Sequence, residues 1–76
     1  MSAGRGKARV VFSAGGYGTS VELHAGRGAA EDAVVREAAE MAADHGLGAE
    51  NISRFGDEWV LQSDSGEEIA RWEVLP

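Results

Sequence analysis

Cysteine is missing from all 76 residues, so neither a disulfide framework nor a thiolate metal site can reinforce the fold, and a reducing compartment is expected. No stretch approaches the roughly 18 apolar residues of a membrane span. The opening Met1 to Arg9 is basic and lacks the apolar run of a secretory signal. A soluble cytoplasmic protein is the expectation. Lysine is nearly absent, with Lys7 its only instance. Positive charge is scarce beyond the leader: residues 20–76 hold all 13 acids against Arg27, Arg36, Arg54 and Arg71, which leaves −9, while Arg5, Lys7 and Arg9 give residues 1–19 a charge of +3. A body so strongly of one sign repels nucleic acid and anionic membrane and steers basic partners toward itself.

Seventy-six residues make one domain that buries about 60 to 65% of the surface its unfolded chain exposes, so modest stability is expected. Residues 1–7 are small, polar and glycine-containing and read as a disordered basic leader. Residues 8–76 form a single acidic domain. Val10, Phe12 and Ala14 alternate with Arg9 and Ser13, and Val21, Leu23 and Ala25 alternate with Ser20, Glu22 and His24, which predicts two half-buried strands. Gly15-Gly16-Tyr17-Gly18 between them is suited to a tight hairpin. The two apolar sets share a face only if the loop has an even number of residues, two or four.

The segment 29–45 is the strong helix. Glu31 and Asp32 fall in its first turn, His45 in its last, and Gly46-Leu47 reads as a left-handed C-cap with its hydrophobic contact. Ala30, Val34, Ala38, Met41 and His45 form one face, so small side chains let the helix lie close on a sheet. Residues 50–55 predict a weak strand around Ile52, turned by Gly56-Asp57 into Trp59, Val60 and Leu61. Ser63-Asp64-Ser65-Gly66 makes a second turn. A four-residue loop there pairs Val60 with Ile69, Trp59 with Ala70 and Glu58 with Arg71, and places Trp59, Leu61, Ala70, Trp72 and Val74 on one face. The fold class is α+β: ββαβββ, an antiparallel sheet with one helix packed on one face. The other face is expected to show Arg9, Val11, Glu22, His24, Phe55, Glu58, Val60, Glu67, Ile69 and Arg71. Val11, Phe55, Val60 and Ile69 there form an apolar island suited to a homodimer.

Motifs for chemistry are weak. Gly26-Arg27-Gly28 begins like a dinucleotide fingerprint, but Glu31 stands where a third glycine belongs and would repel a pyrophosphate. Gly15 to Ser20 lacks the lysine and spacing of a phosphate-binding loop. His24 and His45 are the only imidazoles, and only Glu22 stands near one of them as an orienting acid. The ligand spacings of zinc and the alternate-position oxygens of a calcium loop are both missing, so no metal, cofactor or catalytic residue is assigned and a non-enzyme is expected. Trp59 and Trp72 lack the positive groove of a single-strand-binding platform and read as core, so the body is not expected to bind nucleic acid directly.

The acids remain. Glu37, Glu40 and Asp44 line the outer side of the helix, and Asp57, Glu58, Glu67 and Glu68 gather at the two C-terminal turns. Spaced carboxylates on a compact scaffold can occupy a basic groove built for nucleic acid, so these seven are the candidate partner-binding residues. With a glycine-turn hairpin at Gly15 to Gly18, an alanine-rich helix at Ala29 to His45 and a tryptophan-bearing final hairpin at Trp59 to Trp72, the chain resembles small phage-encoded anti-CRISPR proteins in layout from Arg9 to Leu75. That resemblance carries no functional residue. It implies a phage-type inhibitor in the host cell cytoplasm, acting without catalysis by binding a nucleic-acid-handling protein complex. The alternative expectation is a small structural or regulatory homodimer using the open sheet face.

Overall fold

A computed structural model describes residues 7–16 and 18–76; the leader expected over residues 1–7, Lys7 apart, lies outside the described residues, as does Tyr17. The elements run β1 (Ala8–Ala14), β2 (Gly18–His24), α1 (Arg27–Asp44), a short 3-10 turn (Ala49–Asn51), β3 (Ile52–Phe55), β4 (Glu58–Gln62) and β5 (Glu68–Leu75). All strand pairs are antiparallel, in the order β2-β1-β5-β4-β3, and α1 lies across one face. This is the ββαβββ, α+β arrangement expected. The two strands from opposite ends of the fold, β1 and β5, meet at its centre, and α1 carries the chain from one sheet edge to the other.

The core is built from alternation in three strands. Ala8 and Val10 of β1, Ala70, Trp72 and Val74 of β5, and Trp59 and Leu61 of β4 are buried beneath Ala30, Val34, Ala38 and Ala42 of α1. Alanine at the helix positions brings the helix close, so the tryptophans and Leu61 supply the large buried side chains. Trp59 and Trp72 are both core residues, directly opposite one another, and the Phe12 ring packs on Trp72 with centroids 5.2 Å apart and planes tilted by 45°.

The helix departs from expectation at both ends. It begins at Arg27, so Glu31 and Asp32 fall beyond the first turn and Gly26 provides no side-chain cap. A cation at a helix N-terminus opposes the dipole. Arg27 is offset by ion pairs with Asp57 and, at 2.9 Å, with Glu31. At the other end Gly46 takes a φ of +71°, Leu47 N–H donates to the Ala42 carbonyl at 2.8 Å and Gly46 N–H to that of Ala43 at 3.0 Å, the expected Schellman closure. His45 is exposed rather than part of the buried stripe, and its Nδ1 donates to the Met41 carbonyl at 2.9 Å.

Two registers also differ. Trp59 faces Trp72, Val60 faces Arg71 and Leu61 faces Ala70, a slide of two residues from the pairing predicted. A two-residue slide preserves side-chain parity, so the apolar set stays on the predicted face. The slide comes from a longer loop and from a bulge at Leu61/Gln62, after which Gln62 faces Glu68, leaving Ile69 as the extra residue of β5. In the first hairpin Ala14 pairs with Gly18 and Val11 with Val21, so the connection has an odd length. Gly16 and Gly18 both use positive φ, +88° and +81°. The odd loop sets Val21 and Leu23 on the open face and turns Glu22 and His24 to the helix side, the reverse of the expected assignment.

Candidate protein-binding surface

The predicted apolar island does not form on the open face. Val60 is on that face but only 4% exposed, beside Arg71, which is directly opposite and whose guanidinium reaches Glu58 at 2.9 Å and Glu68 at 2.8 Å. Ile69, displaced by the bulge, packs on the helix side with the core. Phe55 is 65% exposed at the far edge, and Val11 is half-buried near the opposite edge. The four residues therefore occupy four separate environments. The apolar surface that does exist on the open face is Val21 and Leu23, at 61% and 64% exposure, beside Val11 and close to Leu75, which flanks Arg9 from the other side. Parity of a single glycine loop decides this, and the alternation of apolar residues in β2 carries no trace of it.

The seven candidate carboxylates divide unequally. Asp57 and Glu58 lie at one end of β4, Glu67 and Glu68 at the other, so the second predicted cluster is two. Asp57 is bound to Arg27, and Glu58 and Glu68 share Arg71. The hydrogen bond from Arg71 holds the Glu68 carboxyl below its ordinary 4.5, and its two carboxylate partners, Glu68 first, hold the Arg71 guanidinium more firmly charged. Charge there is largely internally compensated. Glu67 makes no ion pair among the described residues and shares the loop between β4 and β5 with Asp64.

The helix carboxylates of this set enter no ion pair among the described residues. Glu37, half-buried, accepts from the Trp72 indole N–H at 3.3 Å, while Glu40 and Asp44 are exposed. Glu22 joins them from β2, because the odd hairpin loop turns it to the helix side. These four surround a groove between α1 and the β1–β2 hairpin. One section is lined by Phe12, Glu22, Glu37, Glu40, Met41, Asp44 and Trp72. The adjoining section, a cavity of about 440 Å³, adds Ala14, Gly15, His45 and Ile69. Phe12, Met41 and Asp44 are common to both, so the floor is continuous, apolar and walled by acid.

The Glu22 Oε1 to His24 Nε2 contact at 3.3 Å unites the one imidazole and acid that the sequence singles out, on the β2 edge of the sheet. Among the described residues no group of three or more His, Asp or Glu is placed to hold a metal ion, and no helix is long and apolar enough to cross a membrane. Arg54 spans Glu31 at 3.5 Å and covers the Trp59 ring at 4.4 Å from its centroid, a cation–π contact that closes the core at the β3 edge. No family model, curated protein or solved structure matches this chain.

Proposed function

We propose that the chain is a non-enzymatic protein-binding module that takes a basic segment of a partner protein into the groove between α1 and the β1–β2 hairpin. The observation that carries this reading is the composition of the groove: Glu22, Glu37, Glu40 and Asp44 stand over Phe12, Met41 and Trp72, and among the described residues neither Lys nor Arg lines either section. Arg and Lys fit such a site with both halves of the side chain. The aliphatic stem packs on the apolar floor while the head meets carboxylate. Met41 adds an adaptable contact. A surface that handles nucleic acid is rich in such side chains, so occupancy of it by this module excludes the nucleic acid and makes the module an inhibitor.

The test uses an arginine-rich peptide interrupted by leucine as probe. Its binding should weaken roughly tenfold when Glu40 and Asp44 are changed together to Lys, and it should weaken further as salt rises, because exposed attraction is screened over about 8 to 10 Å near physiological ionic strength. Glu67→Lys should change binding little. Equal losses from both sets would mean general charge attraction and would remove the groove from the argument. Competition with nucleic acid for a cellular partner tests the inhibitory step, and simultaneous undiminished binding of both would sink it.

A further inference from the structure

Among the described residues strand β2 ends the sheet with an open edge. Among the described residues it pairs only with β1, and six of its seven residues are exposed. Its sequence GTSVELH contains neither Pro nor Lys, and its pairing with β1 runs without a register shift, so proline, lysine and a bulge, which keep edge strands from pairing with other chains, do not protect it, and the one inward-facing charge, Glu22, is in contact with His24. The opposite edge, β3, has only four residues and carries Arg54 and Phe55.

We infer that β2 pairs antiparallel with β2 of a second copy of this chain, about a two-fold axis through Val21, so that the two sheets become one. Self-complementarity identifies the occupant. A register centred on Val21 uses the whole strand from Gly18 to His24. It sets Val21 against the second copy's Val21, Leu23 against its Thr19, and Glu22 against its Ser20, so the strand's only carboxylate meets a hydroxyl. Centring on Glu22 opposes two carboxylates, which destabilises a ladder, and centring on Leu23 shortens it. The chosen register also sets the Val11, Val21 and Leu23 patches of both copies side by side on the open face, where Val21 meets the second copy's Val21 across the axis. Each copy has net charge −6, but β2 contributes only Glu22 to it, with His24 in contact. An axis perpendicular to the sheet leaves both helices on one side, a symmetric closed arrangement with no further free β2 edge. The inference does not depend on what the groove holds.

The experiment combines sedimentation equilibrium with single-thiol cross-linking. The parent should sediment as a dimer from low micromolar to near-millimolar concentration. Val21→Cys introduces the only thiol of the chain at the axis, where opposed Cα atoms of an antiparallel ladder lie about 4.5 to 5.5 Å apart, inside the span of a disulfide. Oxidation should convert it to a covalent dimer, whereas Val35→Cys, at a site 56% exposed on α1, should remain mostly monomeric on denaturing gels. Val21→Lys should give a monomer with an unchanged circular dichroism spectrum. Ser20→Lys should tighten the dimer against the second copy's Glu22 and Ser20→Glu should loosen it, a sign reversal that stacking of open faces does not produce, since Ser20 is on the helix side. A parent monomeric throughout the range, a dimer that survives Val21→Lys, or equal cross-linking at positions 21 and 35 would overturn the inference. So would a monomeric parent that binds an extended peptide along β2, which would give the edge to a different chain.

Discussion

Trp72 is fully buried, yet a buried indole N–H needs an acceptor, and Glu37 reaches in from α1 to provide one at 3.3 Å. The same carboxylate thus anchors the core and forms one wall of the groove. Removing the ring is expected to lower stability by about 3 to 5 kcal/mol in Trp72→Ala, from lost burial and the cavity left behind, a large share of what a domain of this size possesses. Urea unfolding should show the variant largely unfolded near room temperature. A midpoint unchanged from the parent would contradict the central place of Trp72. Periodicity made the tryptophan legible as core, because parity survives a two-residue slide. The role of Glu37 was not legible, because an acid on the outer part of a helix projection gives no sign that it bends back to an indole.

At the scale of elements, the glycine-closed helix, the three C-terminal strands and the pairing of Ile52 with Leu61 follow from alternation and turn residues. What escaped is set by loops. The first hairpin has an odd connection that composition alone does not distinguish from an even one, and six of the seven residues of β2 are exposed whichever face turns to the helix. Burial under α1 therefore could not discipline the parity of β2, and Val21 and Leu23 ended outside, leaving Glu22 to face the helix. Asn51 was also invisible in the sequence. It sits in the 3-10 turn, 9% exposed, and its Nδ2 donates to the Gln62 carbonyl at 3.0 Å and to Asp64 at 2.9 Å, while its Oδ1 accepts from Gly48 N–H at 3.3 Å. One amide thereby ties the helix exit to the β4–β5 loop. Asn51→Leu should cost about 1 to 3 kcal/mol by leaving those backbone groups without their partner, and native-state hydrogen exchange should quicken at Gly48 and in the 63–67 loop. If only global stability fell, with no local quickening, the tie would not be what holds the two segments together.

For the molecule as a whole, acid titration separates general charge from specific pairing. Glu68 has its carboxyl held below 4.5 by Arg71, so the folded state favours the deprotonated form. That contribution is complete above the ordinary value and is lost as pH falls through the lower, folded one. The pair is partly exposed, which keeps the effect small. Protonating the other acids meanwhile relieves repulsion in a chain of charge −6. Comparing the parent with Arg71→Met isolates the pair: the stability gap should be widest near neutrality and narrow as pH falls through and below 4.5. A gap constant over that interval would mean that Arg71 acts only by covering Val60. Finally, the central position of β1 and β5 bears on how the protein is made. Val10 must wait for Val74, so the nascent chain on a ribosome, growing at about 5 to 20 residues per second, carries its first hairpin without a neighbouring strand for several seconds. The middle of the sheet can close only after nearly all of the described chain has been synthesised.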